Sequence, residues 1–164
     1  MLPVPGAGRH VLAGWWPRVA ATLIDLTLLV LGAVAIVGVF SLALLVSTSA
    51  GTLSILAGVA VALVAFTLAL FLYPPIAMAH WNGQTVGKRV CGIRVVRLSG
   101  EPMDFSRAAV REVGVKWVIV MIVGSALTFG LLPLIDALWP TWDGERRALH
   151  DHLARTRVVR AAPR

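Results

Sequence analysis

The feature that most constrains this chain is an interval without charge: from Leu26 through Ala79, 54 residues contain no Asp, Glu, Lys, Arg or His. That length suffices for two crossings of a bilayer core, which needs ~20 apolar residues per helix. Ser47-Thr48-Ser49-Ala50-Gly51-Thr52 is the only small, polar punctuation in the run and predicts a short turn between antiparallel helices at about 17–46 and 52–79. The first helix opens on Trp15-Trp16-Pro17, an aromatic pair suited to the interface with Pro near the first helical position. The second is expected to finish around Tyr73-Pro74-Pro75, where helix geometry is perturbed, with His80 marking its cytoplasmic end. A cleavable signal peptide fits the first helix poorly, because the apolar segment is long, begins well inside the chain and is interrupted by Asp25.

Composition agrees with an integral membrane protein, at 58% hydrophobic, 14% charged and a mean hydropathy of +0.83. The formal net charge of +7 would suggest nucleic acid in a soluble protein, but here the location of the charge decides. Residues 80–116 hold seven basic and three acidic groups, and residues 143–164 hold six basic and three acidic groups. The basic excess predicts that the N-terminus and the 80–116 loop are cytoplasmic, facing anionic lipid, and no nucleic-acid partner is expected. A single cysteine cannot make an intrachain disulfide, and Cys91 in its apolar context reads as a packing thiol.

The third apolar segment, about 117–139, supports two readings. Trp117 to Ile135 is long enough for one crossing, but Gly124, Ser125, Gly130 and Pro133 also allow two short helices meeting near Ala126–Gly130. The hairpin or re-entrant form is the expectation, since it returns the basic C-terminus to the cytoplasm. Before this segment, Val90, Ile93, Val95 and Val96 followed by Ser99-Gly100-Glu101-Pro102 predict a strand and turn, with Thr156-Arg157-Val158-Val159 as the pairing strand. Asp104 is placed to cap a helix carrying Phe105, Ala109, Val113 and Trp117 on one side and Arg107 and Arg111 on the other, as a helix lying on the inner leaflet would. Lys116 breaks that pattern and is expected to snorkel. The fold class is therefore an all-α membrane protein, two long transmembrane helices plus a third apolar segment, with a small cytosolic β-ribbon and an interfacial helix.

Asp25 and Asp136 are the two charges embedded among apolar residues. Arg18, Thr22 and Asp25 share a helix face, so a polar stripe enters the membrane, where a carboxylate has to be paired, hydrated or protonated. Arg18, Thr22, Asp25 and Asp136 are thus the candidates for a proton or cation site, with a structural ion pair as the competing role. Gly58, Ala62, Ala65 and Ala69 form a smooth seam for close helix packing, against the first helix or a second copy. Gly83-Gln84-Thr85-Val86-Gly87-Lys88-Arg89 looks faintly like a phosphate loop but has the wrong glycine spacing, and Arg stands where Ser or Thr would hold Mg²⁺. His150-Asp151-His152 lacks further ligands for a metal site. No nucleophile stands with a base and an orienting acid, so neither an enzyme nor a cofactor is expected.

Several stretches together resemble the RDD family of bacterial and archaeal membrane proteins, named for one arginine and two aspartates. They are Gly14-Trp15-Trp16-Pro17-Arg18 with Leu23-Ile24-Asp25, the 83–89 loop followed by Gly92-Ile93-Arg94-Val95-Val96 and Gly100, and Arg146-Arg147-Ala148-Leu149-His150-Asp151 continuing through Leu153-Ala154 to Thr156-Arg157-Val158-Val159. The resemblance covers about residues 14–160, and the whole chain, 1–164, reads as one such membrane domain. By it, Arg18 and Asp25 take the family's Arg and first Asp, and Asp151, rather than Asp136, takes the second. Asp151 is then expected to dock on the basic 84–94 loop. The resemblance implies a multi-pass protein of the bacterial or archaeal plasma membrane with a transport-related role, including cation/proton exchange. The alternative is a non-catalytic scaffold or accessory subunit that recruits partners or anionic lipid. Two or three helices can hardly enclose a path alone, so the transport reading calls for a homo-oligomer or a membrane-protein partner.

Overall fold

Without polar side chains to compete for backbone groups, the apolar runs satisfy their amides internally and form two long helices. These are α1 (Trp15–Val46) and α2 (Thr52–His80) in the computed structural model, which describes residues 11–46 and 51–161. At 1.5 Å per residue they extend about 48 and 44 Å, longer than a ~30 Å hydrocarbon core. Most of the expected turn at 47–52 lies outside the described residues. The helices are antiparallel: Tyr73, late in α2, donates a hydrogen bond to Asp25, early in α1, at 2.8 Å. On α2, Gly58 and Ala62 are buried while Ala65 and Ala69 are half-buried, so the small-residue seam is used within the chain. Leucines and valines such as Leu31, Val34 and Leu63 face outward, as a lipid-facing surface requires.

The expected span of 52–79 is met to within one residue, with no break at Tyr73-Pro74-Pro75. The helix continues through Pro74 and Pro75 to His80. Proline's fixed φ is itself helical, so the cost is the missing N–H groups, and a buried Pro75 is held by the packing around it. Past His80 the chain turns sharply through Asn82 and Gly83, both at positive φ, and enters the short helix α3 (Val86–Val90), whose N-cap is Thr85. Arg89 stacks its guanidinium over Trp81, 4.8 Å from the ring centre.

The predicted ribbon forms. Strand β1 (Ile93–Arg97) pairs antiparallel with β2 (Thr156–Arg160), with Val95 opposite Val158 and Arg94 opposite Val159. Leu12 bridges to Val159 and extends the ribbon on its other edge. Ile93, Val95, Val158, Ala13, Ala21 and Met78 form a buried cluster that fixes the ribbon against the helix ends. Cys91 packs on this cluster, and burial raises its thiol pKa.

After the ribbon, α4 (Phe105–Ala109) runs into a π-helical stretch, Val110–Gly124, and then α5 (Ser125–Thr128), so the chain is helical from 105 to 128. Asp104 caps this start as expected, accepting the Arg107 amide at 2.7 Å, and Asp104→Ala is expected to cost about 1 kcal/mol in a denaturant or thermal measurement. The face assignment is corrected for Arg111. Arg107 and Phe105 are exposed, whereas Arg111 and Glu112 point inward with Val115, Val120 and Gly124. These inward positions recur every four to five residues, the period of i→i+5 winding rather than that of an α-helix.

At Phe129 and Gly130 both residues take left-handed conformations and the chain reverses into α6 (Leu131–Leu138), followed by a 3₁₀ turn at Trp139–Thr141. The third apolar segment is therefore a helical hairpin with one long and one short arm. Gly124 lies against Leu132 of the returning arm, where an added Cβ would stand 2.5 Å from a leucine methyl. The short arm brings Asp136 back toward α1, and Trp15 donates its indole N–H to the Ala137 carbonyl at 2.7 Å. A last short helix, α7 (Leu149–Leu153), leads into β2.

Candidate functional site: two polar centres at the helix ends

Arg18 and Asp25 start on one face of α1, yet the structure sends them to different partners. Asp25 Oδ1 accepts the Tyr73 hydroxyl and the Gly87 amide, each at 2.8 Å, and Oδ2 accepts the Thr85 hydroxyl. Tyr73 in turn accepts the Val86 amide at 2.9 Å. Asp25 has no ion-pair partner among the described residues. It joins the first turn of α3 to both long helices, and Gly87 is what allows the approach. A Cβ there would stand 2.1 Å from the Ala21 carbonyl oxygen and 3.0 Å from the Asp25 carboxyl carbon. Gly83 is equally constrained, since an added Cβ would lie 1.9 Å from the Val95 carbonyl oxygen. The glycines of the 83–89 loop thus serve backbone approach to a helix and a strand.

The second centre forms around Asp151, which is fully buried. Arg18 Nη1 reaches Asp151 Oδ2 at 2.8 Å, and Arg111 reaches Oδ1 through Nη2 at 2.6 Å and Nε at 3.2 Å. The Thr156 hydroxyl donates to Oδ1 at 3.2 Å and the Ala148 amide to Oδ2 at 3.3 Å. Burial alone would raise the Asp151 pKa, but the guanidinium groups of Arg111 and Arg18 hold it well below the usual carboxylate range. The expectation that Asp151 docks on the 84–94 loop is thereby corrected: its partners are the two guanidinium groups of α1 and the π-helical stretch, because a buried carboxylate is stabilised most by charges that are buried with it.

The network extends in two directions from Arg111. Arg111 Nη1 donates to Glu112, whose carboxylate also lies 3.6 Å from Lys116 Nζ and 4.0 Å from Lys88 Nζ. Burial pushes the Lys88 pKa down, against the pull of Glu112. On the other side Arg111 Nη2 is 3.1 Å from His150 Nε2, while His150 Nδ1 is 2.7 Å from Asp136 Oδ2. A guanidinium only donates, so Nε2 must accept and Nδ1 must carry the proton given to Asp136. Asp136 also accepts the His150 amide at 2.8 Å. The aspartate thereby fixes both the tautomer and the orientation of the ring.

A cavity of about 250 Å³ opens between α1, the π-helical stretch, α6 and α7, with Arg18, Thr22, Lys88, Lys116, Asp136 and His150 in its wall. Of the sequence-predicted candidates, Arg18, Thr22 and Asp136 meet there, while Asp25 stands outside the wall. Thr22 spends its hydroxyl on the Arg18 carbonyl at 3.0 Å. Among the described residues no group of three His, Cys, Asp or Glu side chains is arranged to hold a metal ion. His152 instead lies 3.4 Å from Asp143. Arg111, Glu112, Lys88, His150, Tyr73 and Thr85 were not singled out by sequence reasoning as site residues. The available signal was the clustering of Arg111, Glu112 and Lys116 at the entry to an apolar segment.

Two long apolar helices, a helical hairpin and a charged centre gathered at one end of them define a polytopic membrane protein. The family model of the RDD family matches residues 12–155, and the chain belongs to that family. The ion pair between Arg18 and Asp151 joins two of the three positions at which the chain resembles the family's name-giving residues. A curated relative, the uncharacterized protein YckC of Bacillus subtilis (strain 168), is 32% identical over 97 residues, which is 59% of this chain. The match spans 60% of the length of that relative. No solved structure matches.

Proposed function

We propose that this RDD protein takes part in ion-coupled movement of a solute across the membrane, with the cavity beside Arg18 as the handling site. The observation that carries the reading is the cavity itself: a charged volume of about 250 Å³ against membrane helices, which a purely packing role would be expected to close. Asp136 is one of two carboxylates in the cavity wall, and with His150 it forms the proton-exchanging pair; Asp25 acts as a positioning residue that holds α3 in place. The basic excess of the loops argues for the cavity opening on the cytosolic side. Three apolar elements are few for a closed path, so the reading includes a second copy or another membrane protein. No enzymatic step is proposed.

The test is internal pH in proteoliposomes of the purified chain under imposed Na⁺, K⁺ or Li⁺ gradients, and separately under a phosphate gradient. Wild type is expected to move protons, and Asp136→Asn to abolish the movement while assembling normally. A folded, oriented wild type that moves none under any gradient overturns the reading. That result would favour the second role, a membrane scaffold or accessory subunit recruiting a partner or anionic lipid. Its supporting observation is that Asp25 and Asp151 are saturated by internal partners and so hold the ribbon rigidly on the helices.

A further inference from the structure

The charges around the cavity are unequal. Its wall contains four basic side chains, Arg18, Lys88, Arg111 and Lys116, against two carboxylates, Glu112 and Asp136, with Asp151 behind it. Both carboxylates of the wall are occupied: Asp136 by the His150 ring and amide, Glu112 by Arg111 with the two lysines beyond it. An entering metal cation would meet no free carboxylate.

The donors are in the opposite condition. Lys88 and Lys116 reach Glu112 only at 4.0 and 3.6 Å, beyond the 2.7–3.2 Å of an N–H···O hydrogen bond, and among the described residues neither ammonium donates a hydrogen bond. Arg18, with its other nitrogens engaged, has a buried Nε without a partner among those residues. Half-buried ammonium groups and a buried guanidinium nitrogen left in this state are stabilised by an anion that accepts from them. Asp25 contributes negative potential near Lys88, but its oxygens are taken by Tyr73, Thr85 and Gly87 and are not in the wall. Most of the remaining lining is apolar, including Trp15, Val19, Ile93, Pro140 and Val158.

We propose that the cavity binds an oxyanion, a carboxylate or phosphate group whose oxygens bridge Lys88 and Lys116 and whose organic body rests on the apolar lining. The inference rests on the transport reading for the cavity's role as a solute site and makes the solute an anion. The anionic group belongs either to a free small molecule or to a lipid headgroup, and both present the same oxygens.

Isothermal titration of the purified chain in uncharged detergent with butyrate and with inorganic phosphate tests the free-solute source. Titration with nanodiscs containing or lacking phosphatidylglycerol, followed by native mass spectrometry of the bound lipid, tests the headgroup source. At least one of these probes is expected to bind saturably, and Lys88→Met with Lys116→Met to weaken that binding at least tenfold. Lys116→Met alone, at a half-exposed position, is expected to weaken it several-fold with the unliganded thermal midpoint unchanged. No saturable binding by wild type to butyrate, phosphate or phosphatidylglycerol overturns the proposal, as does equal affinity in wild type and Lys116→Met. Saturable, lysine-dependent binding by a protein that moves no proton leaves the oxyanion site standing and removes only the transport reading.

Discussion

Asp151→Ala is expected to destabilise the folded chain by about 3–5 kcal/mol, because it leaves two guanidinium groups, Arg18 and the buried Arg111, without their shared carboxylate. Reversible unfolding in mixed micelles reads the loss directly. Asp151→Asn keeps the shape and an acceptor oxygen but removes the charge, so it should fall between wild type and the alanine variant. The same residue sets a pH dependence. A carboxyl group whose folded pKa lies below its unfolded value stabilises the protein fully above the unfolded value, near 4, and loses that stabilisation as the pH falls further. Wild type is therefore expected to lose stability below about pH 4, and Asp151→Asn to show a shallower acid limb. Equal acid limbs in the two proteins would show that Asp151 is not held by Arg18 and Arg111 as the geometry indicates.

Gly87→Ala is expected to cost about 3–5 kcal/mol, even though it adds one methyl group. That methyl would stand 2.1 Å from a backbone oxygen of α1, which cannot swing aside as a flexible side chain would. Separating the backbones adds an overpacking cost of about 1–3 kcal/mol to the loss of a hydrogen bond to a carboxylate, about 1.5–3 kcal/mol. Gly144→Ala is the control, since nothing lies within 4 Å of the position, and it should stay within about 0.5 kcal/mol of wild type. If the two alanine variants unfold alike, the contact between α3 and α1 is not as close as described.

Local signals carried most of the fold. The uncharged run located both long helices to within a few residues, and strand alternation found the partner of Ile93–Arg97 some sixty residues away. Asp104 announced its helix by residue type alone. The errors came where the deciding partner is distant. Tyr73-Pro74-Pro75 reads as a stop because proline removes backbone donors, but surrounding helices hold the continuation to His80. Arg111 was assigned to a solvent or lipid-headgroup face from α-helical spacing, whereas i→i+5 winding turns it inward toward Asp151, 40 residues on. The stripe from Arg18 to Asp25 was legible, but its division between two centres depends on Thr85 and Gly87 in one case and Asp151 in the other. Asp151 itself entered through the resemblance to the RDD family rather than from any local pattern.

Arg18 and Asp151 are 133 residues apart in the chain, which gives their ion pair a temporal meaning during biosynthesis. At roughly 5–20 residues per second a ribosome needs about 7–27 s to produce the second partner after the first. Through that interval Arg18 on α1 stands without the carboxylate it will pair with, and Arg111, once made, has Glu112 but not Asp151, so a nascent chain stopped before residue 151 lacks the centre that ties α1 to the ribbon. Completion of the C-terminal segment is then the event that commits the molecule to its mature form.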